Sequence, residues 1–117
     1  MKVYLMRHGE TDYNKKGLIQ GTLDIPLNEF GLELAEKTKE GFEKEGLTFD
    51  YCYCSPLIRA RQTAEILTFP KSYPGRVQVI FTTDLYSIGE TLLLKGKIKF
   101  FAKLQIFATF LALFAVL

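Results

Sequence analysis

The sequence predicts an α/β fold built on a mainly parallel sheet. Three observations carry that expectation. Apolar, β-leaning runs alternate with amphipathic segments in the order strand, helix, strand, helix. The stretch joining the first two strands holds a helix that can cross over the sheet, and such crossovers are right-handed. The chain's 117 residues suit one small domain, and a hydrophobic share of 48% is enough to build its core.

Lys2–Met6 is the first strand, a short apolar run ended by Arg7, His8 and Gly9. Glu10–Pro26 is mostly polar, contains Gly17, Gly21 and Pro26, and reads as a long functional loop. Asn28 is the N-cap of a helix that runs to about Glu45, with Gly46 as its C′ residue. Leu32, Ala35, Thr38 and Phe42 fall on its apolar face, and Glu and Lys cover the other. FDYCYC, at Phe49–Cys54, is the second strand. Ser55 then caps a second helix, with Pro56 at its first position, where a missing N–H is harmless. That helix turns Leu57, Ala60, Ala64 and Leu67 inward.

After Thr68 the texture changes. FPKSYPGRVQVIF brings prolines and a glycine, then a strand at Val77–Phe81. The end of the chain, IKFFAKLQIFATFLALFAVL from Ile98, is intensely apolar and reads three ways: helix, membrane anchor or out-of-frame translation. Its unbroken part after Gln105 is about a dozen residues, short of the ~20 needed to span a bilayer. Counting back to Ile98 reaches that length but includes Lys99 and Lys103, so a membrane role for residues 98–117 is disfavoured and left open. The chain therefore divides into residues 1–69 and a divergent segment, 70–117.

Composition excludes several classes of function. A formal charge of +2, with no basic cluster interleaved with aromatics, gives no footprint for nucleic acid. Cys52 and Cys54 are too close in sequence to close a useful disulfide loop, and with a single histidine in the chain they make no zinc set. They read as small core fillers in a reducing, cytoplasmic setting. The apolar run at the N-terminus is too short for a signal peptide.

That single histidine, His8, lies in LMRHGETDYN. Ligands of parallel α/β sheets bind at the carboxyl ends of the strands, where Arg7, His8 and Gly9 stand. The second strand ends at Ser55, which opens a helix whose N-terminus offers free N–H groups, with Arg59 in its first turn. Two guanidinium forks match phosphate oxygens. A neutral imidazole between them is a competent nucleophile at neutral pH. The set points to phosphoryl transfer through His8. Arg59 is expected to capture phosphate without supporting the fold.

These residues carry a resemblance. LMRHGETDYN resembles the signature of the histidine phosphatase superfamily, in its phosphoglycerate mutase-like branch. QGTLDIPLNEFGLELA and YCSPLIRARQTAEIL resemble the family's next two segments, in order, over roughly residues 1–67. The resemblance implies a partial three-layer sandwich of phosphoglycerate mutase-like architecture. It implies His8 as the phosphorylated nucleophile, Arg7 and Arg59 on the phosphoryl oxygens, and Asn14, Gln20 and Gly21 on the substrate side. Glu10, Thr11 and Ser55 would be supporting residues. No metal or other cofactor is implied, and the partner is a small phosphate monoester. Two family features have no counterpart: a second histidine in an SHG-like segment, and a mid-chain acid. Aligning DLYSIGE on the acidic segment puts Leu85 where the acid should be. The expectation is a phosphatase on an incomplete copy of the domain, with a frame change near residues 64–71. The alternatives are a non-catalytic phosphate-binding fragment and a mutase-type phosphotransferase; the oligomeric state is not specified.

Overall fold

The computed structural model describes residues 2–68, 78–81 and 111–116. Its elements are β1 (Lys2–Arg7), α1 (Asp12–Lys15), α2 (Glu29–Lys44), β2 (Tyr51–Cys54), α3 (Ile58–Thr68), β3 (Gln78–Phe81) and β4 (Leu111–Val116). The four strands form one sheet in the order β1-β4-β2-β3. β2 and β3 pair in parallel, with Cys52 opposite Val79. β4 lies between β1 and β2, antiparallel to both, so that Phe114 stands opposite Tyr4 on one side and Cys52 on the other.

β1, β2 and β3 therefore point the same way, but the sheet is mixed rather than mainly parallel: of the three described pairings, two are antiparallel. The pairings differ from that expectation because the apolar tail enters the sheet. LALFAV is a strand here, not a helix. An unbroken apolar run flanked by paired strands on both edges is the pattern of a central strand. Residues 98–110 of the same segment lie outside the described residues, and among the described residues no helix is long and apolar enough to cross a membrane. α2 packs on α3, and α3 packs on β2, β3 and β4. The second helical layer of a three-layer sandwich is not among the described elements.

The core forms between β2 and α3. Alternation in YCYC turns Cys52 and Cys54 to the buried face, where they meet Ala64 and Leu67 of α3. Tyr4, Met6, Phe42 and Phe49 pack around this cluster. Phe49 is the hinge of the aromatic part, with edge-on rings of Tyr4 at 5.5 Å and Phe42 at 5.3 Å. Burial pushes both cysteine thiols up to about 12, which leaves them unreactive.

α2 starts where the sequence places it: the Asn28 side chain accepts from Gly31 N–H at 2.8 Å. It ends at Lys44, and Leu47 N–H reaches back to the Phe42 carbonyl across Gly46. Its buried stripe runs through Gly31 and Ala35 to half-buried Thr38 and Phe42. Leu32 was expected on that face but is exposed, as are Phe30 and Leu34. The stripe is set by Gly31, not Leu32, because the turn after β1 presses on the helix there. A Cβ on Gly31 would collide with the Glu10 backbone, its nitrogen 2.8 Å away. Gly9 belongs to the same contact: a side chain there would meet the Gly31 carbonyl at 3.0 Å and Leu27 at 3.2 Å. Its small size thus serves the packing of β1's end on α2.

Candidate active site

β1 delivers Arg7 and His8 to its carboxyl end, and the next residues turn into the one-turn helix α1. Thr11 caps α1 by accepting from Asn14 N–H at 3.2 Å, and Asn14 returns its Oδ1 to Thr11 N–H at 3.1 Å. The end of α1 is equally fixed. Gly17, at φ 69°, donates to the Asn14 carbonyl, and Leu18 N–H donates to that of Tyr13 at 2.8 Å. This pair of bonds is a Schellman motif, which reverses the chain. Arg7, His8, Gly9, Glu10, Asn14, Gly17 and Leu18 line an open cleft of about 440 Å³.

His8 sits at the back of this cleft, 6% exposed. Its Nδ1 donates to its neighbour's carbonyl, Gly9 O, at 2.7 Å. Its Nε2 accepts from Arg59 Nε at 3.2 Å. Both bonds are satisfied together only by the tautomer with the proton on Nδ1, leaving the lone pair on Nε2. Burial lowers the His8 pKa, and the Arg59 and Arg7 charges push the same way against the Gly9 bond. The imidazole is therefore neutral and basic at Nε2 at physiological pH. Arg7, exposed at the mouth, has no carboxylate partner among the described residues. Asn14 spends its oxygen on Thr11, so its amide N–H groups are what it offers the cleft.

Arg59 differs from its sequence reading. It is fully buried behind His8, and it donates to the carbonyls of Leu23 at 2.6 Å and Gly21 at 2.9 Å. It fastens the 21–23 loop to α3 while touching Nε2, so it cannot be removed without cost to the fold. Gly21 meets the site through that carbonyl. Gln20 is buried, its Oε1 accepting from the Thr11 hydroxyl at 2.7 Å. Arg7, His8 and Asn14 thus share the cleft, Arg59 backs it, and Gln20 and Gly21 hold its loop.

The start of α3 also departs from expectation. Ser55 makes a turn by accepting from Leu57 N–H at 3.3 Å, and the helix begins at Ile58. Ile58 N–H is taken by Asp24 Oδ1 at 2.6 Å, so a carboxylate of the loop already fills the helix-end anion site. Thr63 was missed altogether. Its hydroxyl accepts from Gly9 N–H at 3.0 Å and donates to the Arg59 carbonyl at 2.8 Å. It thereby ties Gly9, whose carbonyl holds His8 Nδ1, to the helix turn that holds Arg59. The available signal was spacing: Arg59 and Thr63, four apart, share one face of α3. Gln62 reaches across similarly, its Oε1 accepting from Leu27 N–H at 2.8 Å.

Residues 3–86 match the histidine phosphatase superfamily, branch 1. The chain belongs to this superfamily. The match continues past the change of texture that follows Thr68. A 2,3-bisphosphoglycerate-dependent phosphoglycerate mutase of Treponema denticola is 44% identical over 63 residues, 54% of this chain and 26% of that protein. An uncharacterized phosphatase of Bacillus subtilis, PhoE, is 48% identical over 65 residues, 56% of this chain and 33% of that protein. Among solved structures, phosphoserine phosphatase from Entamoeba histolytica, in complex with 3-phosphoglyceric acid, superposes with a TM-score of 0.53. It is 25% identical, covering 88% of this chain and 58% of that one. The chain spans about a quarter to a third of the length of these curated relatives. The relatives and structural neighbours are phosphatases and phosphoglycerate mutases of the superfamily, and the fold is theirs.

Proposed function

We propose that this chain carries the phosphoryl-accepting half of a histidine phosphatase domain and acts on small phosphate monoesters through a phosphohistidine at His8. The observation that carries the reading is the His8 tautomer: Gly9 holds Nδ1–H, so the lone pair is on Nε2, where the Arg59 Nε–H now occupies it and would yield it to phosphorus. In the first step Nε2 attacks phosphorus and the bond to the leaving oxygen breaks, that oxygen departing as an anion or taking its proton from water. In the second, water attacks phosphorus, the N–P bond breaks, and inorganic phosphate leaves. Arg7 would take phosphoryl oxygens at the mouth, Asn14 would donate its amide, and Arg59 would move its Nε–H from the Nε2 lone pair to a phosphoryl oxygen as Nε2 attacks. Gln20 and Gly21 would act on the substrate side through the loop they fix.

Residues 1–69 would supply this half, and segment 70–117 contributes β3 and β4 in place of the later strands of a full three-layer sandwich. A cytoplasmic setting fits two free, buried thiols. No nucleic-acid partner is implied, and the reading calls on no metal or cofactor. Hydrolysis is preferred to mutase-type transfer. Para-nitrophenyl phosphate is the test substrate, because its phenolate leaves without an acid and Leu85 stands where the family's acid aligns. The full chain should hydrolyse it and His8→Ala should not; equal rates would end the nucleophile assignment.

A second reading is binding without turnover. It is favoured by the single histidine, which leaves the phosphoryl pocket one donor short of the family's set. One missing donor of this kind typically costs a factor of ~10²–10³ in rate. Saturable phosphate binding with no phosphoenzyme would support it.

A further inference from the structure

The walls of the cleft are unequal in chemistry, and they bear on which phosphate ester would fit; this rests on the reading above. Among the described residues that line it, Arg7 is the one cation, since His8 is neutral. Engaging the phosphoryl group commits Arg7. Of the other described lining residues not assigned to the phosphoryl group, Glu10 and Leu18 are the ones with side chains. Glu10 is held by Asn28, whose Nδ2 donates to its Oε1 at 2.8 Å, and its charge would oppose a second anionic group.

Leu18 is a built wall, not a stray loop residue. It is 51% exposed, yet its N–H is fixed to the Tyr13 carbonyl by the motif that ends α1. Ile19 and Leu23, 91% and 52% exposed, belong to the same loop. An apolar group resting on Leu18 would remove both surfaces from water with little loss of loop freedom.

We infer that Leu18 is a specificity-determining residue and that the site prefers phosphate monoesters with an uncharged, apolar leaving group over esters bearing a carboxylate. The chain's single histidine makes the test direct, because its imidazole NMR signals report on the site without overlap. The full chain is titrated with inorganic phosphate, phenylphosphonate and 3-phosphonopropionate, none of which turns over. Phenylphosphonate should shift the His8 signals at about fivefold lower concentration than phosphate, the order expected when part of one leucine is covered. The carboxylate-bearing probe should bind no tighter than phosphate. Leu18→Ala should erase the phenyl advantage and leave phosphate affinity unchanged. A carboxylate probe that binds as well as the phenyl one, or an advantage that survives Leu18→Ala, overturns the inference alone. No response of His8 to any of the three overturns the phosphoryl pocket and this inference with it.

Discussion

Replacing Arg59 with alanine should unsettle the fold as well as the chemistry. The side chain has no exposure, and its guanidinium holds Leu23 O at 2.6 Å, Gly21 O at 2.9 Å and His8 Nε2 at 3.2 Å. A hydrogen bond to a charged group contributes ~1.5–3 kcal/mol. The two carbonyls sit at a partly exposed loop, where water can replace the lost donor, so each belongs near the lower end of that range. With the packing lost around a buried side chain added, the expected loss is about 3–5 kcal/mol. The assay is urea unfolding of the full chain, followed by circular dichroism in phosphate-free buffer, since bound phosphate would add its own stability. Arg59→Lys should recover only part of the loss, because one ammonium cannot span three acceptors. A loss below about 1 kcal/mol for Arg59→Ala, with two-state unfolding, would refute the assignment of Arg59 as the fastener of the loop.

Other outcomes follow from the same geometry. Thr63→Val keeps the shape but strands Gly9 N–H, costing about 1–3 kcal/mol in urea unfolding and lowering kcat more than raising KM. Equal kcat with lower stability would make Thr63 merely structural. Gly31→Ala should destabilise by more than ~1 kcal/mol and shift the His8 NMR signals, because its Cβ meets the Glu10 backbone two residues from the imidazole; unchanged signals would contradict the close approach. Stability should also depend on His8. Its folded pKa is lowered, so the unfolded chain takes the proton first. The contribution is full above about 6.5 and declines as pH falls below that toward the folded value. His8→Gln should flatten that part of the stability curve, and an unchanged slope would refute the neutral, buried imidazole.

Much of this was legible where a local rule decides the outcome. Asn28 and Gly46 bound α2 because capping is written in adjacent residues, and YCYC buries its cysteines because alternation has a fixed period. The convergence of Arg7, His8 and Arg59 was legible from strand ends and one helix turn. What was hidden depended on contacts distant in sequence. Asp24 caps α3 from 34 residues away, and Thr63 holds Gly9 from 54. Leu32 was misplaced because Gly31, pressed by Glu10, rotates the buried stripe of α2. LALFAV was unreadable by period alone, since a short unbroken apolar run suits a helix or a central strand equally.

The central claim is that His8 Nε2 accepts a phosphoryl group. Its most direct test is to mix the full chain with para-nitrophenyl phosphate, quench in alkaline denaturant, where an N–P bond survives, and record the ³¹P NMR spectrum of the chain. The account predicts a phosphohistidine resonance, assigned to His8 by its absence from His8→Ala. A chain that binds phosphate and hydrolyses the ester, yet never carries phosphorus on His8, would contradict it.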